Sequence, residues 1–289
     1  MAPNRRRRPG ATPGLIEEPT EAELEECPFC EGREDRTPPE VFRVSGAAGW
    51  TVRVVPNLYP AFERQEVVVH SPRHVRSFAE LSDAELEAIA TAWHYRGEEA
   101  WVSGYRYLHI LINEGVAAGA SRAHSHSQLV WLKEPPPEVL AEEPRLQEGN
   151  CALCKLLASR EMKELVVARR DGVVALAHPA GRLPYEVLIA GEHWGGQPGF
   201  DGGVFLVRAL ELLRQCVRSL RAIEGNVPWN AWLHNSGHWH LEVVPRLSVL
   251  AGVELGAGIY VNTVAPEDAA AALIGDAPVS DTNSRVTKS

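Results

Sequence analysis

A chain of 289 residues that is 45% apolar can bury one large core or two medium ones. Its net charge of −9 and isoelectric point near 5.7 argue against a broad nucleic-acid-binding surface. No run of about 18 apolar residues is present to span a membrane, and the basic N-terminus lacks the apolar segment of a secretory signal. A cytoplasmic protein without nucleic-acid or membrane partners is expected.

Residues 1–26 carry Arg, Pro, Gly and then Glu in bulk, so they are read as an arm or disordered lead-in with a basic run at Arg5–Arg8. Cys27-Pro28-Phe29-Cys30 follows. Glu40–Ser45, Trp50–Pro56 and Gln65–His70 read as strands. Ser82-Asp83-Ala84-Glu85 is a capping box opening a helix whose apolar stripe is Leu86, Ile89, Ala90 and Trp93. A strand over Tyr107–Ile112 leads through a Gly/Ala/Ser loop to His124-Ser125-His126-Ser127-Gln128. If that segment is a strand, His124, His126 and Gln128 share one face and the serines the other. Two imidazoles and an amide beside a loop whose glycines let backbone N–H groups approach a ligand suit a phosphate. The amide and loop can donate to its oxygens while one imidazole attacks phosphorus. A Pro/Glu-rich connection covers Lys133–Gly149.

The pattern then restarts. Cys151-Ala152-Leu153-Cys154 repeats the first pair, and a hairpin is expected around Asp171-Gly172. Glu186–Ile189 mirrors Glu66–Val69. A helix with Leu206, Leu210, Leu213, Val217 and Leu220 mirrors the first helix, and His238-Trp239-His240-Leu241-Glu242 echoes the HxHxQ segment. The spacings from copy to copy fall from 124 (Cys27 to Cys151) through 119 (His74 to His193) to 114 (His124 to His238), as expected of a second copy with shorter loops. The expected fold is α+β: two tandem units, 27–148 and 149–272, each an antiparallel sheet with helices, related by duplication and followed by a disordered tail over 273–289.

Four of the five cysteines lie in C-x-x-C pairs, which favours metal or redox use over a disulfide framework; Cys216, in an apolar helical stretch, reads as core. In each copy the order is C-x-x-C, one histidine, then the first histidine of HxH. Two thiolates and two imidazoles close a tetrahedral zinc site of the structural type. The expected sites are Cys27, Cys30, His74 and His124, and Cys151, Cys154, His193 and His238. A redox dithiol is the competing reading of each pair.

These residues resemble the galactose-1-phosphate uridylyltransferase family, the nucleotidyltransferase branch of the histidine-triad superfamily. The resemblance rests on Cys27–Cys30, Val55–Ala61, Ser71–His74, Asn113 to Ser121 with His124–Gln128, His238–Glu242 and Glu254 to Asn262, and covers nearly the whole chain. It implies two histidine-triad-like halves related by a pseudo-two-fold, a homodimer, and ping-pong transfer of a nucleoside monophosphate from a nucleotide sugar to a hexose 1-phosphate. It implies His126 as nucleophile, His124 as zinc ligand and Gln128 as donor to the phosphoryl oxygens. Asn113 and Ser121 would lie near the phosphates, Asn57 along the nucleotide, and Arg5 and Arg8 near nucleotide or phosphate. His240, Glu254 and Asn262 would add substrate contacts. The motif HSHSQ departs from the HPHGQ of the best-known uridylyltransferases and is closer to ADP-sugar phosphorylases. Some members hold a second metal through a glutamate after HxHxQ, for which Glu142 is a counterpart. UMP transfer is the first reading, an ADP-sugar phosphorylase or adenylyltransferase the second, and a non-catalytic zinc-stabilised nucleotide-binding module the alternative of another class. His94, His109 and His234 are read as structural, and the tryptophans of Trp229–Trp239 as core.

Overall fold

The computed structural model describes residues 14–47, 49–147, 149–192, 204–235 and 237–275. Among them, ten strands form one antiparallel sheet: β1 (Phe42–Gly46), β2 (Gly49–Pro56), β3 (Arg64–Val69), β4 (Tyr107–Glu114), β5 (His126–Leu132), β6 (Val166–Arg170), β7 (Val173–Ala177), β8 (Val187–Gly191), β9 (Trp229–His234) and β10 (His240–Pro245). Their order across the sheet is β1-β2-β3-β5-β4-β9-β10-β8-β7-β6. The first five and the last five strands therefore have the same topology read from opposite edges, and β4 against β9 joins them. No helix among the described residues is long and apolar enough to cross a membrane.

The sheet's two faces have different fates because side chains alternate along each strand. The described α-helices are α1 (Glu21–Glu26), α2 (Asp83–Val102), α3 (Pro137–Glu142), α4 (Ala152–Ala158), α5 (Val204–Glu224), α6 (Gly252–Ala257) and α7 (Pro266–Gly275). On one face of the sheet, Val52, Val54, Val68, Ile110, Leu129, Ala175, Ile189, Leu233 and Leu241 are buried beneath α2 and α5. The helix stripes expected from periodicity are all buried here, Leu86, Ile89, Ala90 and Trp93 on α2 and Leu206, Leu210, Leu213, Val217 and Leu220 on α5. Ser82 caps α2 as the motif dictates, its hydroxyl accepting from the Glu85 N–H and the Glu85 carboxylate accepting from the Ser82 N–H. On the opposite face two smaller clusters cover only the flanks. Cys27, Phe29, Trp50, Val55, Val67 and Val69 pack over the first unit, and Leu146, Cys151, Leu153, Val174, Leu176 and Leu188 over the second. The middle of that face, around β4, β5, β9 and β10, carries the polar residues.

Several elements differ from the sequence expectation. The strand expected over Glu40–Ser45 starts at Phe42, and the HxHxQ strand starts at His126, which leaves His124 in the bend before it. The Pro/Glu-rich connection contains α3 (Pro137–Glu142) and a 3-10 turn over Glu143–Arg145. The tail placed at 273–289 begins too early: α7 (Pro266–Gly275) runs three residues into it, because Leu273 is needed in the core beside Ala269 and Ala270. The hairpin at Asp171-Gly172 is present, both residues having positive φ (38° and 84°) as a two-residue reverse turn requires. Arg5, Arg8 and His193 lie outside the described residues.

Glu114 closes β4 beneath the Gly-rich loop. It is buried and accepts from the Ser77 hydroxyl and the Phe78 N–H, both at 2.8 Å. Burial raises its pKa to about 7, against the partial opposition of those hydrogen bonds. A carboxyl with a raised folded pKa contributes its stability fully below the unfolded value near 4.5 and loses it as pH rises through about 7. Glu114→Gln is therefore expected to flatten the pH dependence of chemical denaturation between about pH 4.5 and 7, removing a pH-dependent loss of about 3 kcal/mol. An unchanged slope in the variant would refute the assignment.

Candidate active site and metal clusters

The chain reaches the site through β4, whose outward residues His109, Leu111 and Asn113 are half-buried while Leu108, Ile110, Ile112 and Glu114 are buried on the helix side. Gly115 then turns the chain with φ 88°, and a Cβ there would meet Ile16 and Pro228 atoms at 2.9 Å, so only glycine fits. The loop returns at His124 and enters β5, where Val69 stands opposite His126 and Val67 opposite Gln128.

His124 sits at a junction. Its Nδ1 lies 3.4 Å from Cys27 Sγ and 3.8 Å from Cys30 Sγ, and its Nε2 donates to the Ser71 carbonyl at 3.0 Å. His74 Nδ1 lies 3.3 Å from Cys30 Sγ, and its Nε2 is 2.9 Å from the Glu23 carboxylate. The four ligand atoms lie within 4.8 Å of one another. A tetrahedral zinc with Zn–S near 2.3 Å and Zn–N near 2.0 Å puts sulfur and nitrogen roughly 3.5 Å apart, so the donor set fits such an ion in type and spacing. The outer imidazole nitrogens already have the oxygen partners that orient metal-bound histidines. Burial, reinforced by Cys27, pushes the Cys30 thiol up to about 12. In the second unit Cys151 and Cys154 place Sγ 3.2 and 3.3 Å from His238 Nδ1, and His238 Nε2 donates to the Gly191 carbonyl at 2.7 Å. These three form a second cluster.

His126 is buried, and its Nδ1 is 2.8 Å from the His124 carbonyl. A carbonyl only accepts, so the proton is on Nδ1 and the Nε2 lone pair is free. Burial holds its pKa below the usual imidazole value, against that hydrogen bond, and the ring is neutral at pH 7. Phe29, between the two cysteines, packs edge-on against both His124 and His126 at 5.9 and 5.7 Å. Gln128, half-buried on the same face two residues on, accepts from Gln65 Nε2 at 2.6 Å. Asn113 accepts from Asn230 Nδ2 at 2.8 Å across the join between units. Ser121 is exposed and lines a cavity of about 330 Å³ with Gly115, Ala120, His124 and Cys27. Asn57 holds its own loop, its Oδ1 accepting from the Tyr59 N–H.

The second unit repeats this frame with different chemistry. His240 Nδ1 donates to the His238 carbonyl at 3.1 Å. Glu242 stands where Gln128 does, and His234 where Asn113 does, as the pairings of Leu111 with Gln128 and of Trp232 with Glu242 show. Glu142, His234, His240 and Glu242 converge within 4.8 Å, and burial, with His234 beside it, lowers His240 to about 4. Sequence reading left His234 as structural; its place on the outward face of β9 became visible only through register. Glu254 accepts from the Ala251 N–H at the start of α6 (Gly252–Ala257), and Asn262 donates to the carbonyls of Gly181 and Leu183. Arg182 pairs with Glu186 and Glu242 in the same unit.

The family profile described as galactose-1-phosphate uridyl transferase, N-terminal domain, matches residues 60–136, which contain β4, the glycine loop and HxHxQ. ADP-glucose phosphorylase of Arabidopsis thaliana is 30% identical over 284 residues, covering 84% of this chain and 80% of that protein. Galactose-1-phosphate uridylyltransferase of Thermotoga maritima is 23% identical over 235 residues, 71% of each chain. Among solved structures, the Arabidopsis ADP-glucose phosphorylase with bound ADP-glucose superposes with a TM-score of 0.76 at 28% identity, covering 89% of this chain and 92% of that one. A uridylyltransferase structure shares the fold, with a TM-score of 0.75 at 24% identity over 90% of this chain and 94% of that one. With the HxHxQ strand, the glycine loop and the first Cys/His cluster at the places found here, the chain belongs to the galactose-1-phosphate uridylyltransferase family.

Proposed function

We propose that the protein is a nucleotidyltransferase acting on sugar phosphates, with His126 as the nucleophile that carries the nucleoside monophosphate. The observation that carries this reading is the hydrogen bond from His126 Nδ1 to the His124 carbonyl. It leaves Nε2 of a neutral ring as the only free lone pair. In the first half-reaction Nε2 attacks the phosphorus next to the nucleoside of a nucleotide sugar. The P–N bond forms, the P–O bond to the sugar 1-phosphate breaks, and that phosphate leaves with the electron pair. The ring is then cationic, and the His124 carbonyl faces its Nδ1–H. In the second half-reaction an oxygen of the acceptor phosphate attacks phosphorus and displaces the neutral imidazole. The acceptor is already an oxyanion, so no general base is required and the chemistry rests on positioning and on donors such as Gln128.

The likeness to ADP-glucose phosphorylase over 84% of this chain, together with the HSHSQ motif, favours an ADP-sugar as donor and inorganic phosphate as acceptor. UMP transfer between hexose 1-phosphates is the second reading, supported by the Thermotoga uridylyltransferase. Protein incubated separately with ADP-glucose and UDP-glucose, labelled in the nucleoside-proximal phosphate, is expected to retain acid-labile label from the correct donor. His126→Ala should abolish retention and lower turnover roughly 10⁴-fold or more. Turnover undiminished in that variant would exclude the mechanism, and nucleotide binding by the wild type without label would favour a non-catalytic binding module.

We infer zinc at both Cys/His clusters, with Cys27, Cys30, His74 and His124 as one ligand set and Cys151, Cys154 and His238, joined by His193, as the other. Zinc here supplies a structural tie and no chemistry of its own. Purified protein should contain about two equivalents by mass spectrometry of the metal. Cys27→Ser and Cys151→Ser should each lose one and lower the melting temperature. Retention of both equivalents in either variant would contradict the ligand set.

A homodimer is the assembly proposed. Leu58 and Tyr59 in the loop after β2, and Leu255 and Ile259 in and after α6, are more than half exposed and apolar, which is the kind of surface a second copy covers. Sedimentation at twice the chain mass is expected, and a monomer at micromolar concentration would refute it.

A further inference from the structure

Gln65 makes no appearance in the chemistry above, yet it is the residue that touches Gln128. Both side chains are half-buried and lie on the outward face of neighbouring strands, diagonal to one another because Val67, two residues from Gln65, stands opposite Gln128. Gln65 Oε1 accepts from the Ala61 N–H at 2.9 Å, and Gln65 Nε2 donates to Gln128 Oε1 at 2.6 Å.

The direction of this chain is fixed from one end. A backbone N–H can only donate, so Ala61 dictates that the oxygen of Gln65 faces the loop and its nitrogen faces Gln128. Gln128 must then turn its oxygen to Gln65 and its NH₂ away. A free glutamine amide beside a phosphate has two orientations; one offers N–H donors to the phosphoryl oxygens and the other offers a carbonyl that repels them. The loop that ends this relay is itself held to β3, with the Asn57 N–H donating to the Gln65 carbonyl at 2.8 Å.

We propose that Gln65 is a positioning residue for nucleotidyl transfer: the relay Ala61 N–H to Gln65 to Gln128 locks the Gln128 amide with its NH₂ free to donate to the transferring phosphoryl group. The proposal rests on the reading of His126 and Gln128 given above. Its benefit is preorganisation, since a donor already turned toward the developing charge needs no reorientation during the reaction.

The test is single-turnover labelling of the full-length protein by nucleotide-labelled ADP-glucose or UDP-glucose, whichever labels the wild type, in Gln65→Ala, Gln128→Ala and the double variant. Gln128→Ala is expected to slow labelling about 10²-fold, the scale of losing one such donor, and Gln65→Ala about 10-fold with substrate affinity little changed. The double variant should be no slower than Gln128→Ala alone, because Gln65 acts only through Gln128. Multiplicative effects, or an unimpaired Gln65→Ala, would overturn the positioning role. An unimpaired Gln128→Ala would instead overturn the functional reading on which it rests. Gln65→Glu guards against misfolding, because it keeps the acceptor for Ala61 and loses the donor at neutral pH. Its rate relative to wild type should be as low as that of Gln65→Ala at pH 7.5 and recover several-fold toward pH 5 as the carboxyl protonates. This recovery should be absent when Gln128→Ala is also present; recovery in that background would show simple charge repulsion and count against the proposal.

Discussion

His124 makes three contacts at once, and the rest of the site depends on them. Its Nδ1 faces the sulfurs of Cys27 and Cys30, its Nε2 donates to Ser71, and its carbonyl accepts from His126. The first two pin the bend before β5 to the N-terminal segment and to the end of β3. The third sets the tautomer of the residue two positions on. A single fixed bend thus gives two chemically alike imidazoles different surroundings, His124 facing the cysteine sulfurs and His126 held in one tautomer as the proposed nucleophile. Buried polar groups of this kind are costly without partners, and both ring nitrogens and the carbonyl of His124 have them.

The sheet does the sorting that makes this possible. Outward positions on β3, β4, β5, β9 and β10 include Gln65, Asn113, His126, Gln128, His234, His240 and Glu242, while inward positions such as Val68, Ile110, Leu129, Leu233 and Leu241 belong to the helix-covered core. Ser125 and Ser127, between the functional residues of the motif, illustrate the split. Ser125 is paired with His70 at 2.9 Å, and Ser127 accepts from the Trp93 indole at 2.9 Å on the helix side. The HSHSQ pattern is therefore two interleaved patterns, serines that bond neighbouring elements and His126 and Gln128 on the opposite, outward face. A one-residue slip of β5 would exchange them and destroy both.

The two halves show what the same frame can carry. His240 has the tautomer-fixing hydrogen bond that His126 has, yet it faces Glu142, and Glu242 replaces the glutamine. Burial works to raise Glu142, but the His234 hydrogen bond together with the electrostatic pull of His234, His240 and Arg182 outweighs it and holds the carboxyl below its usual value, so the group is ionised at neutral pH. Under the proposed mechanism, the Glu142 carboxylate beside His240 would repel a phosphoryl group, whereas the Gln128 amide beside His126 would donate to one. The second unit repeats the tautomer-fixing hydrogen bond of the first and sets its imidazole among Glu142, His234 and Glu242.

The sequence alone determined the periodicities and the chemistry-bearing spacings. The apolar strand over Tyr107–Ile112, the capping box at Ser82 and the apolar stripes of both long helices are local properties, and each formed as the pattern dictated. The Cys/His order was legible because a tetrahedral ion fixes how many donors of which type must meet. What only the tertiary structure decided depends on register and on long-range approach. The partnership of Gln65 with Gln128, 63 residues apart, the convergence of Glu142 with His234, and the retention of Leu273 in the core are of this kind. No local pattern encodes them, because a strand's sequence states which side chains share a face but not which strand lies beside it.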